Sequence, residues 1–221
     1  MDSSNRKIFA AELAGTFIVV VCATGSVVLD AQHGGALGIP FVAFAPFAGV
    51  AAGVYLFGKT SMAHFNPAVT VGYFITGHIT KIQILYYLAA ELAGAVLGSL
   101  FVLLAVGPEA NLGANAPNRD LPMALIFPVE ALATGLLMAV IFAVVYTGGL
   151  RGFGGIAIGG IVGLDILLLS SVSGASMNPA RALAPALVSG FFDDLWLYWS
   201  ATFVGASAVA LMFRRRFAPA R

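Results

Sequence analysis

The sequence predicts an all-α membrane protein, with six transmembrane helices and two re-entrant half-helices arranged as an inverted repeat. Three observations predict it. Of the 221 residues, 60% are hydrophobic and only 10% charged, with mean hydropathy +0.96. A soluble domain carries roughly 25% charge, and this length holds about six spans of ~20 residues with short loops. The tripeptide Asn-Pro-Ala occurs twice, at Asn66-Pro67-Ala68 and Asn178-Pro179-Ala180. The two halves also match element by element, so residues 1–221 read as a single transmembrane domain with repeats over about 1–110 and 120–221.

Span 1 is expected over Ile8–Leu29; it is too long for a cleaved leader and lacks a cleavage-like end. Span 2 covers Pro40–Gly58, and the first half-helix runs from Pro67 to about Thr76. Span 3 covers Ile82–Val106. The segment Gly107–Asp120, rich in Pro, Asn and Gly, divides the halves. Span 4 covers Pro122–Thr147 and span 5 Phe153–Val172. The second half-helix ends near Ser189, and span 6 covers Leu195–Phe213. Glu12-x-x-x-Thr16 in span 1 is matched by Glu130-x-x-x-Thr134 in span 4. Gly49-x-x-x-Gly53 and Gly159-x-x-x-Gly163 predict close approach of spans 2 and 5.

The half-helices follow from their first residues. Asn is a favoured N-cap, and Pro is favoured at the first helical position, where its missing N–H is not needed. Each run is ~14–16 Å long, about half of a ~30 Å hydrocarbon core, so two such helices meeting tip to tip make one span. Both positive dipole ends then face the midplane. Each Asn oxygen caps its own helix, leaving the amide NH2 to donate beyond it. Upstream, Ser61-Met62-Ala63-His64-Phe65 parallels Ser173-Gly174-Ala175-Ser176-Met177. Neither has a helical pattern, and irregular backbone at membrane depth is tolerated only where it is buried in protein or lines a wet cavity. Ala63, His64 and Gly174 are therefore candidate pore-lining residues.

Three spans per half is an odd number, so the repeats insert with opposite orientation. Placing both termini in the cytoplasm puts Arg6, Lys7, Lys59, Lys81, Arg151, Arg214, Arg215, Arg216 and Arg221 inside and only Arg119 outside. Glu12 and Glu130, symmetry-related and within spans, are expected to accept from N–H groups of their own re-entrant loops. Glu91 and Asp165 have no symmetric partner. The lone Cys22 excludes an intrachain disulfide and a cysteine metal cluster. His33, His64 and His78 are too scattered for one site, no catalytic or phosphate-binding motif stands out, and no metal or cofactor is expected. The terminal arginine run reads as a membrane anchor rather than a nucleic-acid contact.

The paired Asn-Pro-Ala motifs, the Glu-x-x-x-Thr repeats, the helix-crossing glycines and the arginine after the second motif resemble the aquaporin, or major intrinsic protein, family over nearly the whole chain. The resemblance is to bacterial-type members with features of the plant metalloid-permeable intrinsic proteins. It implies a pore in each subunit of a homotetramer, a multi-pass protein of the bacterial inner (plasma) membrane, and no enzymatic activity or cofactor. Asn66 and Asn178 match the family's midpore donors, and Arg181 the arginine of its outer constriction. Counting from the motifs, Ala175 and Ile166 match two further constriction positions, and Pro46, or its neighbour Phe47, the span-2 position. His64 matches a residue of the cytoplasmic half of the pore. Met62 stands where the family usually has Gly.

The function this implies is passive passage of water and small uncharged solutes, excluding protons and ions. Ile166 and Ala175 replace the His and the Cys or Thr of many strict water channels and resemble the metalloid-permeable members, favouring the alternative of a channel mainly for glycerol or metalloid acids. Ala182, lacking the aspartate of glycerol facilitators, and Tyr198-Trp199 resemble the water channels instead. A secondary transporter also uses inverted repeats and broken helices, but no cluster of pore-facing carboxylates is evident.

Overall fold

The structure, a computed structural model, describes residues 3–217. The expectation for Arg221 lies outside them, as do the side chains of Arg151, Arg215 and Arg216. Six helices are long and apolar enough to cross a membrane: α1 (Ser3–Gln32), α2 (Gly38–Ser61), α4 (Gln83–Ala105), α6 (Met123–Tyr146), α7 (Gly154–Ser173) and α9 (Leu195–Phe217). The two short helices are α3 (Pro67–Ile75) and α8 (Pro179–Ser189). A one-turn element, α5 (Glu109–Gly113), interrupts the long loop, with Ala110, Asn111 and Leu112 in the left-handed region at φ 48°, 50° and 57°. No strand occurs among the described residues.

The spans pack as two sets. In one, α1 lies against α2 and α4; in the other, α6 lies against α7 and α9. The α2–α7 contact joins them, and the short helices fill the space between, α3 against α9 and α8 against α4. Each short helix therefore docks on the last span of the opposite half. The Arg119 Nη2 group lies 3.1 Å from Asp193 Oδ2 and 2.9 Å from Asp194 Oδ2, tying the long loop to the segment before α9. These carboxylates, Asp194 foremost, hold the guanidinium above its usual pKa.

The glycine pairs divide the work differently from the expectation. Gly159 and Gly163 do face α2: a Cβ on Gly159 would lie 2.5 Å from the Phe47 carbonyl oxygen, and one on Gly163 3.2 Å from that of Ala43. Gly49 instead faces Cys22 of α1, and Gly53 faces the Phe65 ring. The register explains it. Gly49 precedes Asn66 by 17 residues, whereas Gly159 precedes Asn178 by 19. Two residues turn a helix by roughly 200°, so the pairs look in opposite directions.

Both re-entrant loops leave their spans through a left-handed residue, Met62 (φ 67°) and Gly174 (φ 85°). Both then place a left-handed residue at every second position, Ala63 and Phe65 in one loop, Ala175 and Met177 in the other. A side chain costs roughly 1–2 kcal/mol in that region. At Gly174 a Cβ would also lie 2.8 Å from the Tyr198 hydroxyl and 2.9 Å from the Ala116 carbonyl. Gly174→Ala should therefore lower the apparent melting temperature in detergent by the equivalent of ~2 kcal/mol or more, while Met62→Gly should raise it by up to ~1 kcal/mol. Wild-type melting of the Gly174 variant would contradict this account.

Candidate functional site

The tips of α3 and α8 meet inside the protein. Asn66 Oδ1 caps α3 by accepting from the Ala68 N–H (2.9 Å). Asn178 Oδ1 caps α8 by accepting from the N–H groups of Ala180 (3.0 Å) and Arg181 (3.3 Å). The amide groups then cross over. Asn66 Nδ2 donates to the Met177 carbonyl (2.7 Å) and Asn178 Nδ2 to the Phe65 carbonyl (2.8 Å). An amide nitrogen carries two hydrogens. One is spent on the opposite loop, so each Asn keeps one for a solute, where the sequence alone suggested two. Pro67, Ala68, Pro179 and Ala180 are buried behind the tips and build them.

A carboxylate beneath each loop holds its shape. Glu12 accepts from the N–H groups of His64 (3.0 Å) and Phe65 (2.7 Å). Glu130 accepts from the Met177 N–H (2.7 Å) and the Ser173 hydroxyl (2.8 Å). Both are fully buried. Two tyrosines complete the frame: Tyr87 donates to the Ser61 carbonyl (2.5 Å) and Tyr198 to the Ser173 carbonyl (2.7 Å). Tyr198 is thus engaged with the loop backbone.

A cavity runs past both tips. Its midsection is lined by Ala63, His64, Asn66, Asn178 and an apolar wall including Val19, Val50, Leu137 and Val162. An outer cavity includes Gly174, Asn115 and Ser170. The two share Ala23, Ile166, Ala175 and Arg181, which lie where they meet; these four are called the ring below. An inner cavity beside Lys59 and Tyr73 shares Ala63, Ile141 and Ile158 with the midsection. The midsection holds the least room for a solute, about 50 Å³, against about 210 Å³ in the cavity beside Gly174 and 450 Å³ in the one beside Lys59.

Of the two span-2 candidates, Pro46 lines the midsection and Phe47 does not. The expectation that Phe47 belongs to the constriction is corrected: its side chain packs on Gly159 and Gly163 and beside Phe44, in a groove with Leu164 and Leu167. Successive helical residues point ~100° apart, and the glycine face of α7 holds Phe47 away from the pore. Two further residues carried no signal. Ala23 is one more small apolar residue in a span. Asn115, in the long loop, accepts from Arg181 Nη1 and donates to the Gly174 carbonyl (3.0 Å), so it orients the only charged group of the ring. Among the described residues no group of three or more His, Cys, Asp or Glu side chains could hold a metal ion.

Replacing either buried acid tests this frame. Glu12→Gln keeps an acceptor and should be mild. Glu12→Leu leaves two buried N–H groups unpaired, at roughly 1–3 kcal/mol each, and should lower the yield of folded protein measured by size-exclusion chromatography. Glu130→Leu should behave alike. Wild-type yield for both Leu variants would sink the support role.

Comparison with known proteins agrees with this geometry. The family model for Major intrinsic protein matches residues 2–213. The chain is 33% identical over 217 residues to "Probable aquaporin NIP7-1" of Arabidopsis thaliana, covering 97% of this chain and 78% of that one. It is 35% identical over 205 residues to "Nodulin-26" of Glycine max, covering 92% and 75%. The solved structure of the aquaglyceroporin from Plasmodium falciparum superposes with a TM-score of 0.82, at 24% identity and 96% coverage of both chains. Six apolar spans, two half-helices with asparagine tips and a match over nearly the whole length lead to one conclusion: the chain belongs to the major intrinsic protein family, the aquaporins, and is an integral multi-pass membrane protein.

Proposed function

We propose that the protein is a passive transmembrane channel for water and small uncharged solutes that excludes protons and ions. One observation carries this reading: Asn66 and Asn178, each with one amide hydrogen left over, line a single cavity at the junction of two helix N-termini. A water there accepts from both donors, so its own hydrogens point away along the cavity. That orientation breaks a proton-conducting chain. Each half-helix end adds roughly half a positive charge, and with Arg181 this opposes cations. Flow needs no cofactor, catalytic group or alternating access.

Selection among neutral solutes falls to the ring. Ala23, Ile166 and Ala175 are short or apolar, and only Arg181 donates. This favours a second reading, a channel mainly for glycerol or metalloid acids, and the structural neighbour is itself an aquaglyceroporin. With Tyr198 committed to the Ser173 carbonyl, its presence says nothing about the solute. The halves over about 1–110 and 120–221 act as inverted repeats of one channel domain, supported by the matched Glu12/Glu130 and Tyr87/Tyr198 bonds. The basic residues favour both termini in the cytoplasm. A homotetramer suits the exposed apolar residues of α2 and α7, such as Phe44, Leu164 and Leu167.

Stopped-flow light scattering of proteoliposomes should show faster osmotic shrinkage than empty liposomes, with no added proton leak in an internal pH-sensitive dye. A large proton current would refute the mechanism. Glycerol, urea or arsenous acid should also pass. Ile166→His, which adds a ring and a donor, should cut their flux by about tenfold, a barrier change of ~1.4 kcal/mol, while sparing water. A wild type that passes water alone would refute the second reading. Arg181→Val should raise cation leak with neutral flow largely kept; unchanged leak would remove Arg181 from the barrier.

A further inference from the structure

The two halves build the same frame, yet one polar chain exists only in the first. His64 Nδ1 lies 2.8 Å from Thr70 Oγ1, and Thr70 Oγ1 donates to Glu91 Oε1 at 2.5 Å. All three side chains are buried, Glu91 and Thr70 completely and His64 with 4% of its surface exposed. Counted from the tip asparagines, the second half has Ser176 for His64 and Ala182 for Thr70. Counted from the framing tyrosines Tyr87 and Tyr198, it has Thr202 for Glu91, and Thr202 bonds the Tyr198 carbonyl of its own helix. The fold therefore forms without this chain, which leaves His64–Thr70–Glu91 unexplained by packing.

The proton count in the chain has a consequence at the pore. Thr70 has one hydroxyl hydrogen, and it is directed at Glu91. With Glu91 ionised, the Thr70 oxygen accepts from His64, and the His64 hydrogen sits on Nδ1. The other ring nitrogen, Nε2, is buried, has no hydrogen-bond partner in the protein and belongs to a residue that lines the midsection. It is left with a bare lone pair. The ring cannot turn to escape this, because it is stacked between Tyr73 (centroids 4.4 Å apart) and Tyr87 (4.2 Å).

We propose that Glu91 is a positioning residue: acting through Thr70, it fixes His64 as the Nδ1–H tautomer and so leaves Nε2 a bare hydrogen-bond acceptor beside the inner side of the asparagine tips. This rests on the reading of the cavity as a solute pore. An acceptor there has the correct sense. A water held by Asn66 and Asn178 sends its hydrogens away from the midplane, so the next molecule inward also points its hydrogens inward and needs acceptors. A donor at Nε2 would oppose that order. Other groups about the chain include Glu12 of α1, already accepting from the His64 and Phe65 N–H groups, the Asn66 backbone N–H at Glu91, His78, Tyr73 of α3 and Tyr87 of α4.

Solid-state NMR of ¹⁵N-histidine-labelled full-length protein in lipid bilayers reads the tautomer directly, because protonated and bare ring nitrogens resonate far apart. His33→Asn and His78→Asn variants assign the His64 signals. Wild type should show Nδ1 protonated and Nε2 bare. Thr70→Val keeps the shape but breaks the chain, so the proton should move to Nε2, while Thr70→Ser should restore the wild-type pattern. Glu91→Met tests the other end: with its acceptor gone, the Thr70 hydroxyl turns to Nδ1 and the proton again moves to Nε2. A wild-type ring protonated on Nε2, or a Nδ1–H signal that survives both Thr70→Val and Glu91→Met, would overturn the proposal. Osmotic shrinkage of the same samples is read separately, so absent water flow with the expected ring signals would refute the pore reading and leave the tautomer assignment standing.

Discussion

Two side-chain bonds from asparagine to the opposite loop determine what the rest of the molecule must do. Asn66 reaches the Met177 carbonyl and Asn178 the Phe65 carbonyl, so each half-helix tip is tied to the backbone that leads into the other. A typical hydrogen bond contributes only about 0.5–1.5 kcal/mol net, but leaving a buried partner unmade costs roughly 1–3 kcal/mol. At membrane depth there is little water to substitute, so the reciprocal pair locks the tips in register. It also limits the chemistry. One hydrogen per asparagine remains, and both residues line the same cavity.

The loops can present carbonyls there only because something holds their N–H groups from behind. Glu12 and Glu130 do this from α1 and α6, and Tyr87 and Tyr198 hold the serine carbonyls where the loops leave their spans. The alternating left-handed residues show that the backbone is held away from its ordinary minima. Where the halves differ, packing no longer explains the residue. Thr70 against Ala182 is such a place, and so is Asn115, which joins Arg181 to the Gly174 carbonyl.

Much of this was legible in the sequence because its signals are local. The spans lie within a few residues of the hydropathic runs, and Asn-Pro at each half-helix start specifies a cap without tertiary help. Ile166, Ala175 and Arg181, reached by counting from Asn178, all line both of the cavities that meet there. What escaped depends on rotation or distance. Pro46 and Phe47 differ by one residue, and only the α7 glycines decide which faces the pore. The glycine pairs look alike as motifs, yet a two-residue offset turns one toward α1. Ala23 resembles any span residue. Glu91 and Thr70 stand 21 residues apart on different helices, and no periodicity predicts their bond.

The most direct test of the central claim is proton permeability relative to water permeability in proteoliposomes carrying Asn178→Asp. The substitution keeps an oxygen to cap α8 but removes both amide hydrogens and puts an acceptor, with negative charge, where the donor stood. The bond to the Phe65 carbonyl is lost and the midplane water is no longer held by two donors. The account predicts a proton or cation leak well above wild type while water still flows. A variant as proton-tight as wild type, with water flow intact, would contradict the view that paired asparagine donors at the half-helix tips set the orientation on which exclusion depends.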